Sequence, residues 1–304
     1  MNILIAGGSG FIGKNLISTL SNNYDIRTIS LRDENWKKKI IDNQYDVFIN
    51  MIGKAHDHNG VFTEKDYYYA NFELVKEIYS EYINSKAKLL IHISSVAAIE
   101  EYESVTPLTE ESVCNPQSIY GKTKREAEKW LLEQKLPEDK KIIILRPPMV
   151  HGPGDKGNLK LLYKFVSKGI PYPLSSFDNK RSFISINNFI FFIEIILKRK
   201  ERIVTGIYHV SDDESISTKK IISIISKVEK KSVINISLPK FIVKGIATLG
   251  DILPIPLNTK RLKKITGDLL ISNEKIKTVL GIDKLPYTAE EGLKITIKSF
   301  KNKD

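Results

Sequence analysis

Gly7-Gly8-Ser9-Gly10-Phe11-Ile12-Gly13 links a short apolar run, Ile3-Leu4-Ile5-Ala6, to a stretch with helical spacing from Asn15 to Leu20, and this turn decides the fold. The apolar run has the composition of a buried parallel strand. Glycines at a tight strand-to-helix turn let the backbone approach a pyrophosphate, and the helix start offers free N–H groups and the positive end of its dipole. The spacing Gly7, Gly10, Gly13 is G-x-x-G-x-x-G, a variant of the G-x-G-x-x-G dinucleotide fingerprint. Gly7, Gly10, Phe11, Ile12 and Gly13 are therefore the expected cofactor-binding residues. A plain tight connection is the alternative for this turn taken alone.

A second constellation lies downstream. Leu89 to Ile93 reads as another buried strand ending in Ser94-Ser95, and Tyr120 and Lys124 follow on a polar helical run to about Lys135. Residues four apart share one helix face. An ammonium beside a phenol favours the phenolate, so Tyr120 is expected to have a lowered pKa and to exchange protons near neutrality. A serine hydroxyl at the C-terminal end of a parallel strand sits where open α/β sheets bind ligands. An ordinary surface Tyr and Lys is the other reading of this spacing by itself.

Taken together, the glycine turn, the strand-end serine and the Tyr120/Lys124 pair resemble the extended short-chain dehydrogenase/reductase superfamily, in its NAD-dependent epimerase/dehydratase branch. The resemblance spans nearly the whole chain and includes Asp46 to Asn50 and Leu145 to Gly154. It implies an α/β fold, a doubly wound parallel sheet (Rossmann) with a smaller C-terminal α/β substrate-binding region. It implies Ser95, Tyr120 and Lys124 as the catalytic residues, with Ser95 also touching substrate and Tyr120 and Lys124 also touching cofactor. Ser95 is preferred to Ser94 as the fourth residue of the strand-end pattern His92-Ile93-Ser94-Ser95. Asn71, in a helix expected over 66–84, is implied as a further cofactor residue. His151 stands where the family usually has tyrosine.

Composition is that of an ordinary globular protein of 304 residues. No signal peptide or bilayer-spanning stretch is evident, and a single cysteine, Cys114, argues against a disulfide framework. A cytoplasmic protein without a metal is expected. Phe241 to Leu257 reads as a core helix ending at prolines, with an amphipathic surface segment as the alternative. The net charge of +11 comes from lysines scattered through helices, so solvated faces that steer an anionic substrate are preferred to nucleic-acid binding. Contact with anionic membrane is the weaker alternative.

Strands are expected near 2–6, 25–31, 46–51, 89–94 and 142–146, with the sheet one strand short between the second and third of these or that strand reduced to a few residues near 31–33. The dinucleotide domain is expected over 1–152, with 183–210 returning to it, and the substrate region over 153–304. An acidic residue after the second strand suits the ribose of NAD, an arginine the 2′-phosphate of NADP. Ser30 followed by Arg32 leans toward NADP(H), whereas Asp33 restores NAD(H) if the strand runs longer.

The segments Gly154 to Leu159, Gly169 to Leu174 and Asn179 to Ile186 resemble the nucleotide-sugar branch, where an asparagine and an arginine grip the diphosphate, and Gly53 to His56 and Arg261 to Gly281 resemble the bacterial 4-keto-hexose reductases and epimerase-like proteins within it. Asn158 and Arg181 hold those positions, and a guanidinium fork suits phosphate oxygens. The resemblance implies reduction of a UDP-linked 4-keto-6-deoxy-N-acetylhexosamine in bacterial polysaccharide pathways, a homodimer built on the helices near 66–84 and 119–135, and no nucleic-acid partner. A nucleotide-sugar 4-epimerase with bound NAD is the first alternative, and a non-catalytic dinucleotide-binding protein the second. Dehydration is disfavoured, because the resemblance puts the acid and base it needs next to the catalytic hydroxyl, where Val96 and Ala97 stand.

Overall fold

The computed structural model describes residues 1–41, 44–55, 61–169, 172, 174, 176–231, 237–253 and 258–301. His56, Ile170, Pro171, Pro173, Pro254 and Pro256, which fall in segments read above, lie outside them. Chain order runs β1 (Asn2–Ala6), α1 (Phe11–Leu20), β2 (Asp25–Ile29), α2 (Trp36–Ile41), β3 (Val47–Asn50), α3 (Glu64–Tyr68), a π-helical turn (Tyr69–Glu73) and α4 (Leu74–Asn84). It continues through β4 (Leu89–Ile93), a 3₁₀ turn (Val96–Ala98), α5 (Ile119–Glu133), β5 (Lys141–Arg146), β6 (Met149–His151), α6 (Asn158–Ser167), β7 (Phe183–Ser185) and α7 (Ile186–Lys198). The last elements are β8 (Gly206–His209), α8 (Thr218–Glu229), α9 (Lys240–Leu249), α10 (Thr259–Thr266), α11 (Glu274–Leu280) and α12 (Ala289–Lys301).

The main sheet is parallel throughout, in the order β2-β1-β3-β4-β5-β8. Alternation along its strands builds two cores, as a sheet covered by helices on both faces requires. Ile3, Ile5, Val47, Ile49, Leu89 and Ile91 pack with α1 and α7, while Leu4, Phe48, Leu90, Ile142 and Ile144 pack with α4 and α5. A third core joins α6, α8, α9 and α12.

Among the described residues no strand lies between β2 and β3, so β2 forms the edge of the sheet and is largely exposed. β8 is the strand opposite that edge, but β7 pairs with β6 in a separate two-stranded sheet. Segment 183–210 thus returns to the main sheet only through α7 and β8. The helix expected over 66–84 is divided by the π-helical turn that carries Asn71. The core helix expected at Phe241 is instead a surface helix, since α9 buries only Val243 and Ala247.

Candidate active site

β1 leads with its neighbours β2 and β3 on opposite sides, so the strand order reverses at its C-terminal end, the position where open α/β sheets form a ligand crevice. Gly7 occupies that end with φ +91°, and a Cβ there would lie 3.1 Å from the Met51 carbonyl carbon, so only glycine suits the turn. The Gly10 N–H donates to the Gly7 carbonyl (3.1 Å), and Gly10 caps α1 without any side-chain hydrogen bond. Gly13 is buried in the first turn of the helix, while Phe11 and Ile12 are half-buried. An uncapped helix start behind a glycine cradle fits a dinucleotide pyrophosphate. Asn15 ties the cradle to the loop after β6, donating to the Pro153 carbonyl (3.2 Å).

At the end of β4 the two serines diverge. Ser94 is buried and donates to Glu128 Oε1 (2.5 Å). Ser95 is half-buried, caps the 3₁₀ turn by accepting the Ala97 N–H (3.2 Å), and hydrogen-bonds with the Tyr120 hydroxyl. Tyr120 lies on the first turn of α5, which Ser118 caps by accepting the Gly121 N–H (3.0 Å). The Glu101 carboxylate in turn accepts from the Ser118 N–H (2.7 Å) and hydroxyl (2.8 Å). Gly121 lets this end of α5 press onto the 3₁₀ turn, because a Cβ there would come within 2.3 Å of the Ala97 carbonyl oxygen.

Lys124 lies one turn further along α5, only 3 % exposed, and its Nζ donates to the Ile93 carbonyl (2.9 Å). Burial brings its pKa down to about 8, opposed by the nearby Glu128 charge. The expected lowering of the Tyr120 pKa is not what this geometry produces. Burial dominates and raises it, the Ser95 hydrogen bond acts to lower it, and the Glu101 and Glu128 charges raise it further. In this arrangement the Tyr120 hydroxyl holds its proton.

Asn71 is wholly buried, and its amide is fully engaged. Its Oδ1 accepts the Lys54 N–H (2.8 Å), and its Nδ2 donates to the Lys54 carbonyl (3.1 Å) and to Thr123 Oγ1 (3.1 Å). It clamps the Gly53–Lys54 loop against α5 beside Lys124. A π-helical turn widens the helix at this residue, a feature frequent at functional sites.

The residues expected to recognise the adenosine and diphosphate are placed differently. Arg32 is exposed, and Ser30 and Leu31 separate it from the end of β2. Asp33 is committed to Lys39 and to the Asn35 N–H. Arg181 does not present a free fork for phosphate: Nη1 donates to the Tyr102 and Gly267 carbonyls (both 3.0 Å) and Nη2 to the Glu101 carbonyl (3.4 Å). It staples the loop that holds Ser118 to the residues after α10. Asn158 is exposed on the first turn of α6. His151 is buried, hydrogen-bonds with Thr296 (2.9 Å) and has its pKa pushed to about 3 by burial, so it is neutral.

Glu128 and Arg146 had no part in the sequence reading of the site. Both are fully buried, and Glu128 accepts from Arg146 Nε (2.7 Å) and Nη2 (2.6 Å). This ion pair joins α5 to the ends of β4 and β5 beneath Tyr120 and Lys124. Two signals marked it: Glu128 stands four residues after Lys124, and Arg146 follows the apolar run Ile142 to Leu145.

A family model described as the NAD dependent epimerase/dehydratase family matches residues 3–211. Among similar proteins, a UDP-glucose 4-epimerase of Vibrio cholerae is 28 % identical, covering 98 % of this chain and 95 % of that one. An N-acetyl-α-D-glucosaminyl-diphospho-ditrans,octacis-undecaprenol 4-epimerase of Escherichia coli O157:H7 is 23 % identical over 98 % of this chain and 94 % of its own. The structure of UDP-glucuronic acid 4-epimerase from Bacillus cereus in complex with NAD superposes with a TM-score of 0.78 at 20 % identity, covering 99 % of each chain.

Proposed function

Because the chain belongs to the NAD dependent epimerase/dehydratase family, we propose that it is a nucleotide-sugar 4-epimerase that inverts C4 of a UDP-linked hexose or N-acetylhexosamine. The observation that carries this reading is the hydrogen-bonded Ser95–Tyr120 pair set over buried Lys124, at the sheet end that also bears the glycine cradle. NAD, when bound in that cradle, supplies a hydride acceptor and donor. Tyr120 must first lose the proton that burial favours; as the phenolate it takes the proton of the sugar 4-hydroxyl and later returns it, Ser95 hydrogen-bonds the same oxygen, and Lys124 provides positive charge that favours the phenolate. Val96 is buried and apolar, and Ala97 carries no titratable group, so this site lacks the acid and base of a dehydratase.

The 4-ketoreductase expected from the sequence would use the same three residues. The 4-epimerase names of two similar proteins that match almost end to end favour the epimerase. The family is described as NAD dependent and the similar Bacillus cereus structure is a complex with NAD, so we propose NAD in place of the NADP(H) that Arg32 suggested. A cytoplasmic homodimer built on the outer faces of the π-helical turn and α5, where Tyr69 and Leu132 are exposed, completes the reading.

The test is proton NMR of UDP-glucose and UDP-N-acetylglucosamine with the purified protein and no added cofactor. Interconversion with the C4 epimer is expected, and acid should release NAD from the protein. Stoichiometric oxidation of added NADPH or NADH, seen only with a UDP-4-keto-6-deoxy sugar, would replace this reading with the reductase. Tyr120→Phe should lower kcat by about 10²–10⁴-fold while NAD remains bound.

A further inference from the structure

α9 is apolar on two faces. Val243 and Ala247 point into the C-terminal core, while Phe241, Ile242, Ile246 and Leu249 share the opposite arc of the helix and are exposed, Phe241 to 74 %. The chain that leaves the helix extends the patch with Ile252, 82 % exposed, and Leu253. Monomeric proteins rarely leave so contiguous an apolar stripe in water.

The surroundings of the stripe are strongly basic. Between residues 237 and 267 the cations are Lys240, Lys244, Lys260, Arg261, Lys263 and Lys264, against a single acid, Asp251. The Asp251 carboxylate is occupied by the N–H and hydroxyl of Thr259. Lys263 is paired with Glu103 (3.2 Å), whereas Lys244 and Lys264 form no ion pair among the described residues, and α10, which carries four of the cations, packs against α9.

We propose that the outer face of α9 with Ile252 and Leu253, ringed by the lysines of α9 and α10, seats the protein on an anionic phospholipid surface. An amphipathic helix with lysines beside an apolar face sinks that face to the level of the lipid headgroups, and anionic lipid adds electrostatic attraction. Lysine stems lie along apolar surface and carry their charge to the headgroups. A second copy of this chain fits less well, because a shared face would bring like charges together. A protein partner fits less well too, since the cores of protein interfaces are poor in lysine. The surface adjoins a cavity of about 390 Å³ lined by Tyr102, Glu103, Asn115, Gln117 and, from α10, Lys260 and Lys263.

The test is sedimentation of the full chain with vesicles of phosphatidylcholine, alone or mixed with phosphatidylglycerol. Pelleting with the mixed vesicles is expected, weakened about tenfold as salt rises from roughly 0.1 to 0.5 M. The pairs Phe241→Asp/Ile252→Asp and Lys244→Glu/Lys264→Glu should each lose it, with thermal melting and NAD binding unchanged because these side chains are exposed. No pelleting, equal pelleting with phosphatidylcholine alone, or a dimer that the same variants dissolve would overturn the proposal. The epimerase assay on soluble nucleotide sugars, run without vesicles, stands or falls separately.

Discussion

Lys124 illustrates the tension between the site and the fold at the scale of one residue. Its ammonium is buried with one close carbonyl partner, and its pKa falls to about 8. A lysine whose folded pKa is depressed destabilises the native state below that value. The penalty is relieved between about pH 8 and the unfolded pKa near 10.4, where the unfolded chain binds the extra proton. Lys124→Met should therefore abolish turnover yet raise the melting temperature at pH 7, by about 2–4 °C for each kcal/mol relieved. The gain should shrink between pH 8 and pH 10, and a lower melting temperature at pH 7 would refute the argument. Glu128 presents the reverse case. Glu128→Ala leaves Arg146 buried without its carboxylate and should cost about 3–5 kcal/mol of stability in urea unfolding. A loss within the error of the wild-type value would show that the pair is dispensable to the fold.

At the scale of elements, the proposed chemistry depends on how α5 meets the 3₁₀ turn after β4. Ser118, Glu101 and Gly121 hold the first turn of α5, and that turn carries Tyr120 to Ser95. Gly121→Ala would place a methyl against the Ala97 carbonyl and push the helix away. Since a misplacement of about 1 Å can cost some 100-fold in rate, kcat should fall by about that factor with the circular dichroism spectrum unchanged; unaltered kcat would mean that the contact yields without moving Tyr120. The π-helical turn plays a parallel part on the other side of Lys124. Asn71→Ala should release the Lys54 loop and weaken NAD binding, measured by calorimetry, while Asn71→Asp, which keeps the acceptor for the Lys54 N–H, should weaken it less. Equal losses in both variants would exclude that hydrogen bond as the cause.

At the scale of the whole molecule, the sheet places all of these parts. Its strand order reverses at β1, so the glycine cradle and the ends of β3 and β4 open on one crevice. Five parallel strands were legible, four as short apolar runs and β2 as an alternation of polar and apolar residues, and the glycine turn because its residues are neighbours along the chain. The shortened second crossover was legible too, from the small number of residues between Arg27 and Asp46. Long-range partners were not. Arg181 reads as a phosphate ligand until the fold sets three backbone carbonyls around it. Lys124 reads as a charge acting on Tyr120 until burial proves the larger effect on both groups. Alternation and local spacing by themselves determined the α/β class and the glycine turn, since each is a property of neighbours along the chain, while the family resemblance pointed to Ser95, Tyr120 and Lys124 as the proposed reacting side chains. Only the tertiary structure decided the protonation of Tyr120, the engagement of Asn71 and Arg181 and the exposed face of α9, because desolvation and hydrogen-bond competition depend on groups that folding brings from distant sequence.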